Sequence, residues 1–217
     1  MPKWIKFFIG LLLLPVCFGA SNVLWRLASH AGGADQVWVP ILSGGISWLV
    51  IFLLLPKPMW VYIFGHELTH AVWTWMCGGS VKRFKATSQG GQVVVTKTNF
   101  LIALAPYFFP FYMMLVALIY ILGDLIWNWR PYQVWFHLML GLTYAFHLTL
   151  TWHVLKTKQT DITQQGYFFS AVIIFLGNAT VLLIALPLLI GSGHLLVVFS
   201  DVFTATSVVV HRIARLF

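Results

Sequence analysis

The chain has 217 residues, of which 60% are hydrophobic and only 8% are charged. A soluble domain carries about 25% charged residues, so this composition excludes a soluble globular protein and predicts an integral membrane protein in a lipid bilayer. The net charge is +8, but the basic residues lie at the ends of apolar runs and not along one stripe. We therefore expect no nucleic-acid partner.

The apolar runs predict an all-α polytopic membrane protein with six or seven transmembrane helices, forming a single integral membrane domain over 1–217. Glycines and Asp35 mark a loop after the first run, and Pro106 and Pro110 interrupt the fourth. The N-terminal segment resembles a signal peptide, but Phe18 stands where the cleavage site needs a small residue. We therefore expect this segment to be retained as the first transmembrane helix. The seventh run is weaker and either spans the membrane or lies on its surface. In chain order the runs are 7–25, 37–55, 59–77, 100–122, 132–155, 167–189 and 195–210.

The segment between the third and fourth runs has a different character. It contains the pair Gly90-Gly91 and the β-branched residues Val93, Val94 and Val95. This pattern predicts a short β-hairpin at about 81–98 that turns at Gln89-Gly90-Gly91. Because an unpaired strand edge is not tolerated in lipid, the hairpin is expected at the membrane interface or against protein.

The third run carries His-Glu-Leu-Thr-His at positions 66–70, with no other charge between 60 and 71. On a helix this HExxH spacing places His66 and His70 on one face, where both can bind a single zinc ion, and leaves Glu67 as a general base. Glu67 is also the only glutamate in the chain. Polar groups at membrane depth are costly, which indicates a functional site.

Zinc in a catalytic site needs a third protein ligand, and no second glutamate exists to supply it. If the chain crosses seven times and the loop after the third run is cytoplasmic, nine of the 13 basic residues lie on the cytoplasmic side. In this orientation the sixth run starts on the cytoplasmic side, and Asp161 lies at its start. Asp161 is the preferred ligand, Asp201 the second choice, and His147 or His153 further alternatives. Asp161 followed by Gln164 also fits a helix N-cap, which from spacing alone is equally favoured.

Residues Gly65 to Ala71, the glycine-containing hairpin and the Thr160-Asp161 step together resemble the site-2-protease class of intramembrane zinc metallopeptidases, the M50 family, and in particular its small members without PDZ domains. The resemblance covers a metallopeptidase core at 59–190. It implies that His66 and His70 bind Zn²⁺, that Glu67 is the base, and that Asp161 is the third ligand. It also implies that the hairpin pairs with an unwound substrate and that the protein lies in a bacterial inner (cytoplasmic) membrane.

The sequence thus predicts a zinc metalloprotease that hydrolyses peptide bonds of membrane-embedded protein substrates. Val93, Val94, Val95 and Asn178 are candidate substrate-positioning residues, although Asn178 equally fits helix packing. The alternative is a catalytically silent, protease-like subunit that acts with partners in a larger membrane complex. A di-iron histidine-box enzyme is disfavoured, because the chain has 8 histidines and no adjacent pair.

Overall fold

The computed structural model describes residues 1–30, 35–191 and 194–215. It is 80% helical, with one small antiparallel sheet. In these ranges the strands are β1 (Val81–Thr87) and β2 (Gly90–Val95), and the helices are α1 (Lys3–His30), α2 (Asp35–Leu54), α3 (Met59–Met76), α4 (Phe100–Phe108), α5 (Phe111–Trp127), α6 (Gln133–Leu155), α7 (Thr160–Gln165), α8 (Tyr167–Ile190) and α9 (Leu195–Ala214). The loop predicted after the first run falls largely on 31–34, outside the described residues.

Five helices in the described part of the chain are long and apolar enough to cross a membrane, and a sixth crossing results if α4 and α5 together form one bent span. This confirms the predicted all-α, multi-pass fold. The weaker seventh run, which forms α9, meets the same criterion. The helix α3 is not among the five, because the polar residues of its HELTH sequence lower the hydropathy of its 18 residues.

The predicted interruption of the fourth run is a sharp bend. The helices α4 and α5 meet at 76°, with the break at Phe109 and Pro110. Pro110 precedes the first residue of α5, a position where its missing N–H costs nothing. Pro106 does not break the chain; it lies inside α4.

The described residues form two compact units, one within the bounds Met1–Ala34 and Thr160–Phe217, the other within Asp35–Gln159. In the second unit, α2 and α6 pack backbone to backbone, because a Cβ at Gly44 or Gly141 would run into a carbonyl of the other helix. Small residues permit such close helix contacts in membranes. Next to this contact, Trp48, Tyr62 and Phe146 form a buried cluster that joins α2, α3 and α6.

In the first unit, α1 packs against α8 and α9. Arg26 of α1 lies 3.9 Å from Asp201 of α9. The Nζ atom of Lys6 donates a 2.5 Å hydrogen bond to Gln165 of the short helix α7. Asp161, expected at the start of the sixth run, lies instead in the separate short helix α7, before α8 begins at Tyr167. Because α7 begins at Thr160, Asp161 lies inside its first turn and is not an N-cap.

The hairpin forms where the sequence predicts it, and α3 packs against both of its strands. The position of the turn differs from the prediction. Gly90 and Gly91 are paired in β2, opposite Thr87 and Ala86, so the turn consists of residues 88 and 89. The register shifts between Val81 and Arg83, a bulge that bends the first strand.

Candidate metal centre

The His66 and His70 side chains lie next to each other on α3. Their ring centroids are 5.0 Å apart and the ring planes are almost perpendicular, at 78°. This follows from the helix, since residues four apart lie one turn above each other on the same face. The helix extends past this pair to Met76, Cys77 caps it, and Gly78 follows with a φ of 72°. The spacing therefore brings the two imidazole rings together, and their binding of a metal stays a prediction.

The orientation of His70 is fixed by a backbone carbonyl of α4. Its Nδ1 lies 2.8 Å from the carbonyl oxygen of Ile102. A carbonyl can only accept a hydrogen bond, so Nδ1 carries the proton and Nε2 keeps the lone pair that a metal needs. Zinc-binding histidines are commonly held by a backbone carbonyl in this way.

The Ile102 carbonyl is available because of Pro106. In a helix this carbonyl would accept from the N–H four residues later, but that residue is Pro106, which has none. Asn99 fixes the same turn, because its side chain accepts a 2.8 Å hydrogen bond from the Ile102 N–H. The sequence prediction treated Pro106 only as an interruption and missed this role.

Glu67 lies between α3 and the hairpin. Its residue is only 8% exposed. A Cβ built on Gly91 of β2 would lie 2.5 Å from Oε1 and 2.7 Å from Cδ of the Glu67 carboxylate. The strand can approach the carboxylate this closely only because residue 91 has no side chain. Gly91 is therefore part of the site, although the sequence prediction placed it in the turn.

On another side of α3 there is a small cavity of about 20 Å³. It is lined by His66, Thr69, Tyr62, Tyr112 and His147, among others. A cavity of this size has room for about one water molecule. Thus, a water-sized space adjoins one of the two paired histidines.

His147 of α6 lines this cavity and is 7% exposed. Its ring interacts with the backbone of Tyr107. Among the residues that the structure describes, however, no hydrogen-bond partner lies near its buried Nε2. The sequence prediction named His147 only as a minor alternative for the metal, since its spacing relative to His153 gave no stronger signal.

The donor set on α3 fits zinc. Zinc binds imidazole nitrogen and carboxylate oxygen, and catalytic sites add an open position to three protein ligands. His66 and His70 are adjacent, and the hydrogen bond of His70 fixes the tautomer that a metal requires. Asp161 lies in α7, in the other compact unit, and its role as third ligand stays a prediction.

The candidate substrate-positioning residues lie in a strand and in a helix. Val93, Val94 and Val95 are in β2, opposite Phe84, Arg83 and Val81. Asn178 lies in α8, where its Nδ2 donates a 2.9 Å hydrogen bond to the carbonyl of Ile174 in the same helix. Substrate positioning by these four residues stays a prediction.

No protein-family model, curated protein or solved structure matched this chain.

Proposed function

We propose that the protein is a zinc metalloprotease that cleaves membrane-embedded protein substrates. The observation that supports this most is the state of His70, whose Nδ1 is bound to the Ile102 carbonyl and whose Nε2 thereby offers a metal its lone pair beside His66. In the proposal, His66 and His70 hold Zn²⁺, and Asp161 is the third ligand on the strength of the sequence prediction. We also infer a bacterial inner membrane as its location.

The residues around the zinc ligands have distinct tasks. When bound, zinc supplies Lewis-acid activation of water and of the scissile carbonyl. Glu67 accepts a proton from the attacking water and later passes it to the leaving nitrogen. Its carboxylate is suited to this role because it is buried against Gly91, which limits its competing contacts with solvent.

The hairpin offers a way to hold the substrate. A transmembrane helix satisfies its own amides, so a segment that is to be cleaved has to unwind and find new hydrogen-bond partners. The β2 strand, with Val93, Val94 and Val95, is close to Glu67 through Gly91. A substrate segment added to this sheet would gain backbone hydrogen bonds next to the general base.

The test compares wild type with Glu67→Gln in membranes of cells that express either form. New protein N-termini are catalogued by mass spectrometry, so the substrate need not be identified beforehand. We expect termini within transmembrane segments for wild type that are missing for Glu67→Gln, while both purified proteins contain about one zinc per chain. Identical sets of termini would reject the protease and favour the silent subunit.

A further inference from the structure

We propose that His147 is a positioning residue of the metal centre, which holds the zinc ligand His66 in its orientation through one buried water molecule. In this link the Nδ1–H of His66 donates to the water, and the water donates to Nε2 of His147. The inference rests on the part of the proposed function in which His66 binds Zn²⁺. It assigns a role to a buried histidine of α6 that is neither a zinc ligand nor the general base.

The first observation is the tautomer of the His147 ring. The ring forms a hydrogen bond with the backbone of Tyr107, and Nε2 has no hydrogen-bond partner among the described residues, so Nδ1 makes this bond. A backbone carbonyl only accepts, which places the proton on Nδ1 and a lone pair on Nε2. His147 is 7% exposed, and a buried acceptor needs a partner. The partner that Nε2 requires is therefore a donor.

The Tyr107 carbonyl is available to His147 because of its place in α4. Tyr107 lies in the last turn of this helix, which ends at Phe108. Carbonyls of a last turn have no N–H of their own helix to accept from, so they accept from side chains or water. Two carbonyls of α4, those of Ile102 and Tyr107, thus hold His70 and His147 in the same tautomer.

The other described histidines of α6 differ from His147. His137 is also buried, but its Nδ1 lies 3.2 Å from the carbonyl oxygen of Gln36. His153 is less buried and contacts the ring of Phe52 edge to face, at 6.5 Å between centroids. Neither of them lines the cavity beside His66. Only His147, among these three, presents a buried lone pair at the metal centre.

The second observation is the chemical character of the cavity that His147 shares with His66. Its volume of about 20 Å³ has room for about one water molecule. Thr69 and Tyr112 also line it. Their hydroxyls already donate to backbone carbonyls, at 2.7 Å for Thr69 and 2.6 Å for Tyr112, so both have only lone pairs left to offer. Together with Nε2 of His147 they favour an occupant that donates hydrogen bonds, as water does.

The third observation is the position of His66 at the same cavity. His66 lines the cavity, and its Nδ1 is buried. In the proposed function its ring binds zinc through Nε2, as the ring of His70 does, so its proton is on Nδ1. Zinc-binding histidines donate this proton to a carboxylate, a backbone carbonyl or a water, which fixes the ring and strengthens the ligand. A water in the cavity accepts from His66 and donates to His147.

Both histidines of the metal centre are then oriented by carbonyls of α4. His70 binds the Ile102 carbonyl directly. His66 is held less directly, through the water, His147 and the Tyr107 carbonyl. All of these groups belong to one compact unit, within Asp35–Gln159. No proton is transferred along this path, because each group keeps the tautomer that its neighbour requires.

The experiment uses the full-length protein in detergent, with Zn²⁺ and Co²⁺ as probes. His147→Phe keeps an aromatic ring but removes the acceptor, His147→Gln restores an acceptor with its amide oxygen, and His153→Phe is the matched control on the same helix. Competition with a chelating dye gives the Kd of Zn²⁺. The visible absorption of bound Co²⁺ reports the geometry around the metal, and the melting temperature of the metal-free protein reports folding. His147→Leu replaces His147→Phe if that variant does not fold.

We expect His147→Phe to raise the Kd of Zn²⁺ by about 10- to 100-fold, as for other outer-shell partners of zinc ligands. Its Co²⁺ spectrum should differ from that of wild type, because the His66 ring is no longer held. His147→Gln should recover most of the affinity and the wild-type spectrum, and His153→Phe should match wild type in both. Recovery by glutamine separates the hydrogen bond from packing, which the ring of phenylalanine would preserve better.

Three results would overturn the role of His147. They are an unchanged Kd and Co²⁺ spectrum in folded His147→Phe, an equal loss of affinity in His147→Phe and His147→Gln, and the complete loss of zinc from both, which would make His147 a direct ligand. A wild type that binds no zinc would reject both the metal centre and this link. A wild type that binds zinc but yields the same protein N-termini as Glu67→Gln would reject only the protease, and the Kd values would still decide the link.

Discussion

His70 binds a carbonyl that Pro106 has released from helical hydrogen bonding. The His70 Nδ1 lies 2.8 Å from the Ile102 oxygen, and Pro106 is the residue whose N–H would otherwise occupy that oxygen. A proline inside a helix thus leaves a free acceptor for a candidate metal ligand. This connects the local chemistry of proline directly to the tautomer of the histidine.

Replacing Pro106 by alanine tests this connection. The new N–H of residue 106 would compete with His70 for the Ile102 carbonyl, so the His70 ring would lose its fixed orientation. We expect zinc affinity to fall about 10- to 100-fold, as for other outer-shell partners of zinc ligands. Competition with a chelating dye measures this. Pro15→Ala in α1 is the control, and equal affinity in the two variants would contradict the idea.

Gly91→Ala tests the contact between the hairpin and Glu67. The added methyl group has no room beside the carboxylate, since its carbon would lie 2.7 Å from Cδ. Either the strand or Glu67 has to move, and we expect cleavage to fall at least about 10-fold, with zinc retained, because a general base is sensitive to its position. Gly45→Ala in α2, where a Cβ meets only ordinary contacts, should cleave like wild type.

Substitutions of Asp161 and Asp201 are expected to have different effects on the zinc content of the protein. If Asp161 is the third ligand, Asp161→Ala should lose most of its zinc during purification, which elemental mass spectrometry will show. Asp201 lies 3.9 Å from Arg26 and is explained by that ion pair, so Asp201→Asn should keep its zinc. Retention of zinc in Asp161→Ala would refute its assignment.

Gly141→Val tests the packing of α6 against α2. A side chain at this position would collide with the Ile41 carbonyl and separate the two helices. Overpacking costs about 1–3 kcal/mol or more, so the variant should melt at a lower temperature in detergent. The control is Gly45→Ala, which should keep the wild-type melting temperature. Gly191→Val would not serve as a control, because Gly191 has a positive φ that valine rarely adopts. An unchanged melting temperature for Gly141→Val would argue against this close contact.

The sequence by itself determined the features that depend on local chemistry. A low fraction of charge and long apolar runs require a membrane protein, and the helical repeat places His66 and His70 on one face. A run of β-branched residues next to glycines indicates a hairpin, and the break of the fourth run at Pro110 follows from the backbone of proline. Each of these can be read within a window of about 20 residues.

Only the tertiary structure decided which distant residues meet. Gly91 lies against Glu67 across 24 positions of the chain, and the His147 Nε2, which has no partner among the described residues, lies beside a cavity shared with His66. The sequence predicted an interruption at Pro106, but Pro106 lies inside α4 and frees a carbonyl for His70. Such contacts depend on how helices and strands pack, and packing is set by side chains far apart in sequence, which the local pattern does not encode.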